Sequence, residues 1–402
     1  MLTLAGCILL TLPIFHDVLV VSTTPGPDVD FDSISAAISA ASEGDLILVR
    51  SGQYGPIQIN GKGLTVAADT GAEVILSGPT HGIFVSGLAA DQSVVIQGLK
   101  LKATQATWSS VYDSVIVSGN SGSVWLESLQ ASNWVCKLRV LDSDSVILSG
   151  CKFRGENGPW ISGYWSTSSD GGTAMWVQRS CVHLFGTSAM GGEGGLAPDN
   201  PQCGGADGDG GHGIRSYASE LRMEASTAVG GDALDGWGVT AGSGVLLATG
   251  SKFVGRQSTI MGGKSSTGVL CAPSYSGVRF LNDGSSSVES IPGPAALFDG
   301  PGVVRPGESL AFNFQAGPGS WAYLLVSEST ADLPLGDAGI LHLLSPQILD
   351  LGPVGANGKL TWPTTLGLPP APVTLLGLQA VAADPSIGAV IGQVRSLAWL
   401  AQ

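Results

Sequence analysis

A short frame of hydrophobic positions repeats along residues 94–255. In this frame an apolar residue is followed by a second at +2, a small residue at +5, an apolar residue or alanine at +7 and a turn residue at +9. The frame begins at Val94, Val124, Val146, Val182, Leu221 and Leu246. Another short strand precedes most frames, at residues 115, 138, 174, 213 and 237. Alternating apolar positions predict β-strands, and their return at every turn of the repeat predicts parallel strands stacked in rungs.

The segment before the repeat predicts a helix that covers the first rung. Apolar residues recur at helical spacing, with Asp32 or Ser33 as the N-cap and Gly44 at the end. The apolar stripe is formed by Ile34, Ala37, Ile38 and Ala41. Leu46 and Leu48 then begin a strand. A short helix in this place shields the otherwise open edge of a stack of strands.

Residues 31–54 read F-x-x-I-x-x-A-x-x-x-A-x-x-G-D-x-I-x-V-x-x-G-x-Y. This pattern closely resembles the opening of the pectin-lyase-like β-helix proteins. The resemblance is strong here and extends over residues 55–280 through architecture only. It implies an all-β protein, a right-handed parallel β-helix with a short N-terminal capping helix.

The two ends of the chain differ from the repeat. Residues 1–16 contain an uncharged apolar run that is too short to span a bilayer, and they predict a signal peptide and export to the extracellular space or cell surface. Residues 17–284 form the predicted β-helix. A Ser- then Pro-rich linker follows at 285–296. Residues 297–402 hold about seven alternating strands and predict a C-terminal β-sandwich, with Asn357-Gly358 as a hairpin turn.

Composition narrows the possible partners. The chain has 59 glycines, only 12% charged residues and a net charge of −14. This acidic balance disfavours nucleic acid and anionic membranes, which need clustered basic residues. It suits neutral glycans, or acidic glycans held through a cation. We expect a monomer with no membrane span.

The cysteines predict no disulfide framework, because removal of the signal peptide leaves five of the six. Cys151 occupies a +5 position and is predicted to be a buried, inert thiol. Cys181 and Cys203 flank an insertion, and the sequence leaves open whether they pair.

Insertions in the repeat predict a binding face. Extra residues after Ala103, Gly155 and Gly191 leave from the same corner, whereas the rungs at Val124 and Leu221 have none. Loops from one corner of neighbouring rungs lie side by side. The aromatic residues in and beside these loops are Trp108, Tyr112, Trp160, Tyr164, Trp165 and Trp176. Their rings suit sugar faces, although packing of the loops onto the body explains them equally well.

Asp-Gly steps form a second column. Asp170, Asp209 and Asp235 each stand just before the first strand of a rung, and Asp207 and Asp232 are near them. Stacked carboxylates repel one another unless a cation lies between them, so Ca²⁺ is the candidate ligand. The alternative is ordinary turn chemistry that repeats because the turn repeats. No other cofactor is indicated.

Gly211-His212-Gly213 matches a triplet that polygalacturonase-type hydrolases use on this fold, and Arg215 follows it. The other hydrolase signatures are absent, so the match is weak. Three functions stay open: a module that binds extracellular polysaccharide, a polysaccharide lyase or glycoside hydrolase centred on Asp209, His212 and Arg215, and a structural surface rod. We favour the binding module, since the catalytic signatures are missing.

Overall fold

The computed structural model describes residues 16–78, 82–103, 113–131, 135–158, 170–195, 208–233, 240–264 and 277–401. It confirms the all-β class and the parallel β-helix. Each turn of this helix places strands on three faces, which we call stacks 1, 2 and 3 in the order that the chain visits them. Two strands, β10 (Val115–Glu127) and β12 (Leu138–Ser149), bend from stack 1 into stack 2.

The strands of each stack pair in parallel with their copies in the neighbouring rungs. Besides β10 and β12, stack 1 contains β4 (Ile57–Asn60), β7 (Ile83–Ser86), β14 (Met175–Gln178), β17 (Ile214–Tyr217), β20 (Val245–Ala248) and β23 (Phe280–Asn282). Stack 2 adds β1 (Val18–Val21), β2 (Leu46–Val49), β5 (Leu64–Ala68), β8 (Ser93–Gln97), β15 (Cys181–Phe185), β18 (Glu220–Glu224), β21 (Lys252–Arg256) and β24 (Ser287–Ile291). Stack 3 is β3 (Gly52–Tyr54), β6 (Val74–Gly78), β9 (Leu99–Ala103), β11 (Gln130–Ala131), β13 (Lys152–Arg154), β16 (Ser188–Met190), β19 (Thr227–Val229) and β22 (Thr259–Met261).

The helix α1 (Ile34–Ala40) lies at the start of the β-helix, as predicted. The Ser33 hydroxyl caps it by accepting the N–H of Ala36. Ile34, Ala37 and Ile38 are buried against the first strands. In the part of the chain that the structure describes, no helix is long and apolar enough to cross a membrane.

The inward residues of all three stacks form one apolar core. The frames from Val94, Val124, Val146, Val182 and Leu221 are in register. The sixth frame was misplaced, because Leu221 pairs with Phe253 and not with Leu246. Leu246 instead pairs with Arg215 in stack 1. The error arose because Gly255 occupies the second apolar position of the true frame, whereas the preceding strand reads as continuously apolar.

Small side chains of the turns bond from rung to rung. The N–H groups of Cys151 and Thr187 donate to the hydroxyls of Thr187 and Ser226, at 3.3 and 3.1 Å. Cys151 is fully buried, and burial raises the pKa of its thiol to about 12, so the prediction of an inert thiol is confirmed. Cys181 is a free thiol, and Cys203 lies outside the described residues.

The C-terminal residues form two mainly antiparallel sheets around a second core, and β26 (Val303–Val304) pairs in parallel with β34 (Gly388–Leu400). One sheet has the order β25 (Leu297–Asp299), β27 (Ser309–Gln315), β32 (Lys359–Thr365). The facing sheet has the order β26 (Val303–Val304), β34 (Gly388–Leu400), β33 (Val373–Asp384), β28 (Trp321–Ser327), β31 (Gln347–Pro353). A separate hairpin contains β29 (Thr330–Pro334), the 3₁₀ turn Gly336–Ala338 and β30 (Ile340–Leu343). We call it the seam hairpin.

Two local predictions near the C-terminal module require correction. The segment 285–296, predicted as a linker, contains β24, which extends stack 2 by one more rung. Asn357-Gly358 does form a turn, with Gly358 at a φ of 73°. It is not a hairpin turn, because the strands on its two sides belong to different sheets. Asn-Gly specifies the local backbone but not the partner of the next strand.

The sandwich packs along the outer face of stack 2. Trp125, Ile147 and Phe185 of the β-helix form one apolar cluster with Leu325 and Val394 of the sandwich. A second apolar cluster joins the first rungs to the last strand of the chain. Much of stack 2 is therefore covered, although β24 at its end is largely exposed. Among the residues that the structure describes, no apolar cluster joins the sandwich to the outer face of stack 1.

Candidate functional site

Of the six aromatic residues predicted to line the binding face, the structure describes only Trp176. The other five members, Trp108, Tyr112, Trp160, Tyr164 and Trp165, lie outside the described residues. Trp176 is on β14 of stack 1, where its neighbours Met175 and Val177 point into the core. Strand alternation therefore directs the indole to the outer face.

Trp176 lies between two arginines of the adjoining rungs. Arg139 and Arg215 are its direct neighbours in the parallel register. Their guanidinium carbons lie 5.4 and 4.9 Å from the centre of the indole ring, which is the geometry of cation–π contacts. Tyr217 stacks on Trp176 with ring centres 5.7 Å apart, and its hydroxyl lies 2.5 Å from Arg215 Nη2. We call these four residues the Arg–Trp ladder.

The two arginines differ in charge compensation. Arg139 forms an ion pair of 3.3 Å with Asp113. Arg215 has no carboxylate partner among the described residues; its contacts are with the two aromatic rings. In addition, Nε of both arginines and Nε1 of Trp176 are buried without a hydrogen-bond partner in the described structure. Buried donors of this kind usually bind water or a ligand.

The ladder belongs to a longer strip on the outer face of stack 1. Residues in the same register column are Phe84, Ile116, Leu246 and Leu281. The neighbouring outward column is Ser86, Ser118, Leu141, Gln178 and Ala248. The strip thus combines apolar, hydroxyl, amide and cationic groups at a spacing of about 4.8 Å per rung.

The corner loops all leave between stack 3 and stack 1, as predicted from their spacing. The rung at Leu221 also carries one, at residues 230–244. The sequence predicts no insertion in this rung, because a frame that begins at Leu246 leaves too few residues for one. The described bases of these loops lie directly beside the strip.

Glycine backbones hold the bases of these loops in a two-layer lattice. Outgoing segments, which leave stack 3 for a loop, alternate with returning segments, which lead from a loop into stack 1. Each segment donates a backbone N–H to a carbonyl of the preceding segment, at 2.7–2.9 Å. The chain of these donors and acceptors is Glu156, Gly172, Gly192, Gly211, Gly231, Gly242 and Gly263. At each of these glycines a Cβ would overlap a neighbouring residue, in most cases the backbone of the residue two steps earlier in this chain of bonds. Only glycine permits so close an approach. We call this arrangement the glycine lattice.

The aspartates of the Asp-Gly steps bond to this lattice. Asp170 accepts the N–H of Asp209 at 2.9 Å, and Asp209 accepts the N–H of Thr240 at 2.6 Å. Asp232 accepts the N–H of Lys264 at 2.7 Å. These carboxylates therefore satisfy backbone donors of the next rung.

Two of the aspartates proposed as calcium ligands, Asp207 and Asp235, lie outside the described residues. Across the described ranges, no group of three His, Cys, Asp or Glu side chains could hold a metal ion. The described Asp-Gly steps, at Asp170 and Asp209, thus have a structural role in the rungs.

His212 lies at the end of the returning segment before β17. Its Nδ1 accepts the N–H of Ser243 at 3.0 Å. Burial, and to a smaller extent the charge of Arg215, lower the pKa of His212 to about 4. A neutral imidazole with Nδ1 already bonded has its remaining proton on Nε2. His212 can therefore donate one hydrogen bond beside the ladder.

A second group of polar residues was missed from the sequence. His183 and His342, which looked isolated, meet where the seam hairpin covers stack 2, with Nδ1 of the first 2.9 Å from Nε2 of the second. They are 159 residues apart and belong to different folding units, so no sequence spacing connects them.

Comparison with known proteins provides no functional assignment. No protein-family model and no curated protein matches this chain. A superoxide reductase (neelaredoxin) from Ignicoccus hospitalis is 13% identical, with a TM-score of 0.18, and the match covers 27% of this chain and 81% of that one. A putative superoxide reductase from Thermotoga maritima is 12% identical, with a TM-score of 0.16, over 26% of this chain and 85% of that one. Similarity at this level carries no information about fold or function.

Proposed function

We propose that this protein is an exported member of the pectin-lyase-like β-helix superfamily that binds extracellular polysaccharide along stack 1. The single observation that carries the proposal is the Arg–Trp ladder on the outer face of stack 1, beside the bases of the corner loops. The membership is supported by the motif of residues 31–54 together with the parallel rungs.

The chemistry of the ladder suits a decorated sugar chain. The flat faces of Trp176 are occupied by Arg139 and Arg215, so the indole serves mainly to orient the two guanidinium groups. Arg215 has no carboxylate of the described chain to neutralise it. A guanidinium group in this state binds a carboxylate or sulfate substituent with two parallel hydrogen bonds. Tyr217 and Gln178 offer further hydrogen bonds to hydroxyls.

The length of the strip suits a polymer rather than a small molecule. Outward columns run from Phe84 to Leu281 across seven strands of stack 1, at about 4.8 Å per strand. A sugar chain lying across the strands meets a new pair of side chains at every rung. Each contact is weak, and affinity accumulates along the chain.

Binding is tested by affinity electrophoresis and calorimetry on neutral, uronate-containing and sulfated polysaccharides. We expect Arg215→Ala to weaken binding of the anionic polymers at least tenfold, which corresponds to the roughly 1.5–3 kcal/mol of a charge-assisted bond. Lys152→Ala is the matched control, since Lys152 is an exposed cation on stack 3. It removes the same charge and should leave binding unchanged.

The same samples separate the other two functions. New reducing ends or unsaturated products would replace the binding module with a lyase or hydrolase, and would direct mutagenesis to Asp209 and His212. No retention on any polymer would leave the structural rod. Equal loss in Arg215→Ala and Lys152→Ala would mean that binding does not involve the ladder.

A further inference from the structure

The seam hairpin contacts the β-helix through polar groups and through Leu343, which belongs to the apolar cluster around Trp125. It lies outside the five-stranded sheet and pairs only with itself. On its sandwich side Gln379 bonds to the backbone of Ile340 and His342, at 2.8 and 2.9 Å. On its β-helix side the Arg256 guanidinium donates to the carbonyls of Asp337 and Ala338.

A chain of ionisable groups crosses from the hairpin to stack 2. Asp332 Oδ1 lies 2.6 Å from His342 Nδ1, and His342 Nε2 lies 2.9 Å from His183 Nδ1. His183 Nε2 then faces Glu224 Oε1 at 3.8 Å. Both imidazoles are almost fully buried, at 2% and 3% exposure, so these contacts are not averaged out by solvent.

The geometry fixes how many protons the two imidazoles can hold. The contact between the rings is a hydrogen bond only when one of the two facing nitrogens is protonated. The outer nitrogens face Asp332 and Glu224. The contact between the rings therefore tolerates at most three protons on the four nitrogens, which is one positive charge. A fourth proton would place two N–H groups against each other at 2.9 Å.

The surrounding charges oppose this extra proton only in part. The charged or titratable groups that face the pair are Asp144, Cys181, Glu220, Arg222, Glu224, Lys252, Arg256, Glu289, Asp332 and Asp337. Burial is the main reason that the pKa of His183 falls to about 4; His342 and Arg222 lower it further, and Glu224 opposes the shift. His183 thus takes up its charge only in distinctly acidic solution.

The hairpin has room to move when the contact breaks. A cavity of about 340 Å³ lies between the hairpin and stack 2, beside the contact of the two histidines. His183, His342, Cys181 and Arg222 are among its lining residues. Arg222 is nearly buried, and its Nη2 has no hydrogen-bond partner in the described structure. Lifting the hairpin would hydrate Arg222 and Glu224, which offsets part of the cost of opening.

We propose that the seam hairpin is an acid-released strap: it stays on the β-helix while the His183–His342 pair carries at most one positive charge, and it detaches when acid brings the pair to two. The opened state exposes the charged floor formed by Arg222, Glu224 and Arg256. The rest of the sandwich stays docked, because it has apolar contacts with stack 2 that do not involve the hairpin: Leu325 and Val394 in the cluster around Trp125, and the cluster that joins the first rungs to the last strand.

Hydrogen exchange followed by mass spectrometry tests the strap on the intact protein. Exchange of the peptides covering 329–344 is compared at pH 6.5 and pH 4, each corrected for the intrinsic rate. We expect protection of the hairpin to fall at least tenfold, with less than twofold change in β27. In His183→Gln, which keeps a hydrogen-bonding group but takes up no proton, the fall should be less than twofold.

His212→Gln is the matched control, because it removes a buried histidine outside the seam and should keep the wild-type response of the hairpin. An equal fall in His183→Gln and wild type would overturn the proposal. So would unchanged protection of the wild-type hairpin at pH 4. If His183→Gln does not fold, wild type alone decides: loss of protection in β27 and the hairpin at the same pH is global unfolding and rejects a local strap.

Discussion

The glycine lattice leads to a sharp prediction at Gly231. This residue donates to the Gly211 carbonyl at 2.7 Å and accepts from the N–H of Gly242 at 2.8 Å. A Cβ at Gly231 would lie only 2.5 Å from the carbonyl carbon of Gly192 and would overlap its oxygen. The clash involves backbone atoms, which cannot rotate away as a side chain can.

Gly231→Ala should therefore destabilise the β-helix strongly. Forced overpacking costs about 1–3 kcal/mol, and displacement of the segment weakens two hydrogen bonds worth about 1 kcal/mol each. The expected loss is roughly 3–5 kcal/mol. At about 2–4 °C per kcal/mol for a unit of this size, the melting temperature should fall by about 10 °C.

Differential scanning calorimetry measures this change, with Gly55→Ala as the control. Gly55 is exposed, and a Cβ there meets no atom within 4 Å. Its substitution should alter stability by no more than about 0.5 kcal/mol. If the two variants melt within 2 °C of each other, as estimated from the same scale, the close approach of the backbones is not what requires glycine at position 231.

Two further predictions concern single side chains. Burial raises the pKa of Glu127 to about 7, above its ordinary 4.5, so its contribution to stability is present at low pH and is lost as the pH rises through 7. Glu127→Gln should therefore gain up to about 3 kcal/mol over wild type in urea denaturation at pH 8 and nothing at pH 4; a constant difference would contradict this. Ser33→Ala should cost about 1 kcal/mol through loss of the α1 cap, and Ser39→Ala, an exposed position in the same helix, should cost nothing. Equal melting of these two variants would show that the cap does not contribute.

The sequence predicted the rungs well because their signal is periodic. The frames at Val94, Val124, Val146, Val182 and Leu221 needed only the alternation of apolar residues. The frame at Phe253 was missed because Gly255 interrupts the alternation of apolar residues. The hairpin predicted at Asn357 was wrong for another reason. Tertiary packing decides how the flanking strands pair, and the turn sequence does not encode that packing.

Part of the candidate site was also accessible from the repeat. Trp176 and Arg215 each stand six positions before a frame, at Val182 and Leu221, so equal offsets already placed them in one column. The offset of Arg139 from Val146 is seven, because β12 has one residue more than the β14–β15 segment between the two columns. The contact between His183 and His342 had no such signal, since it depends on how the sandwich docks.

The glycine lattice also separates the framework of this protein from its variable parts. Its bonds join backbone groups alone, so they place no demand on the side chains beyond the loop bases. A loop can therefore change in length or composition while its two ends remain fixed in the same lattice positions. The β-helix thus has the properties of a display scaffold, in which specificity can evolve at the corner without renewed selection for stability.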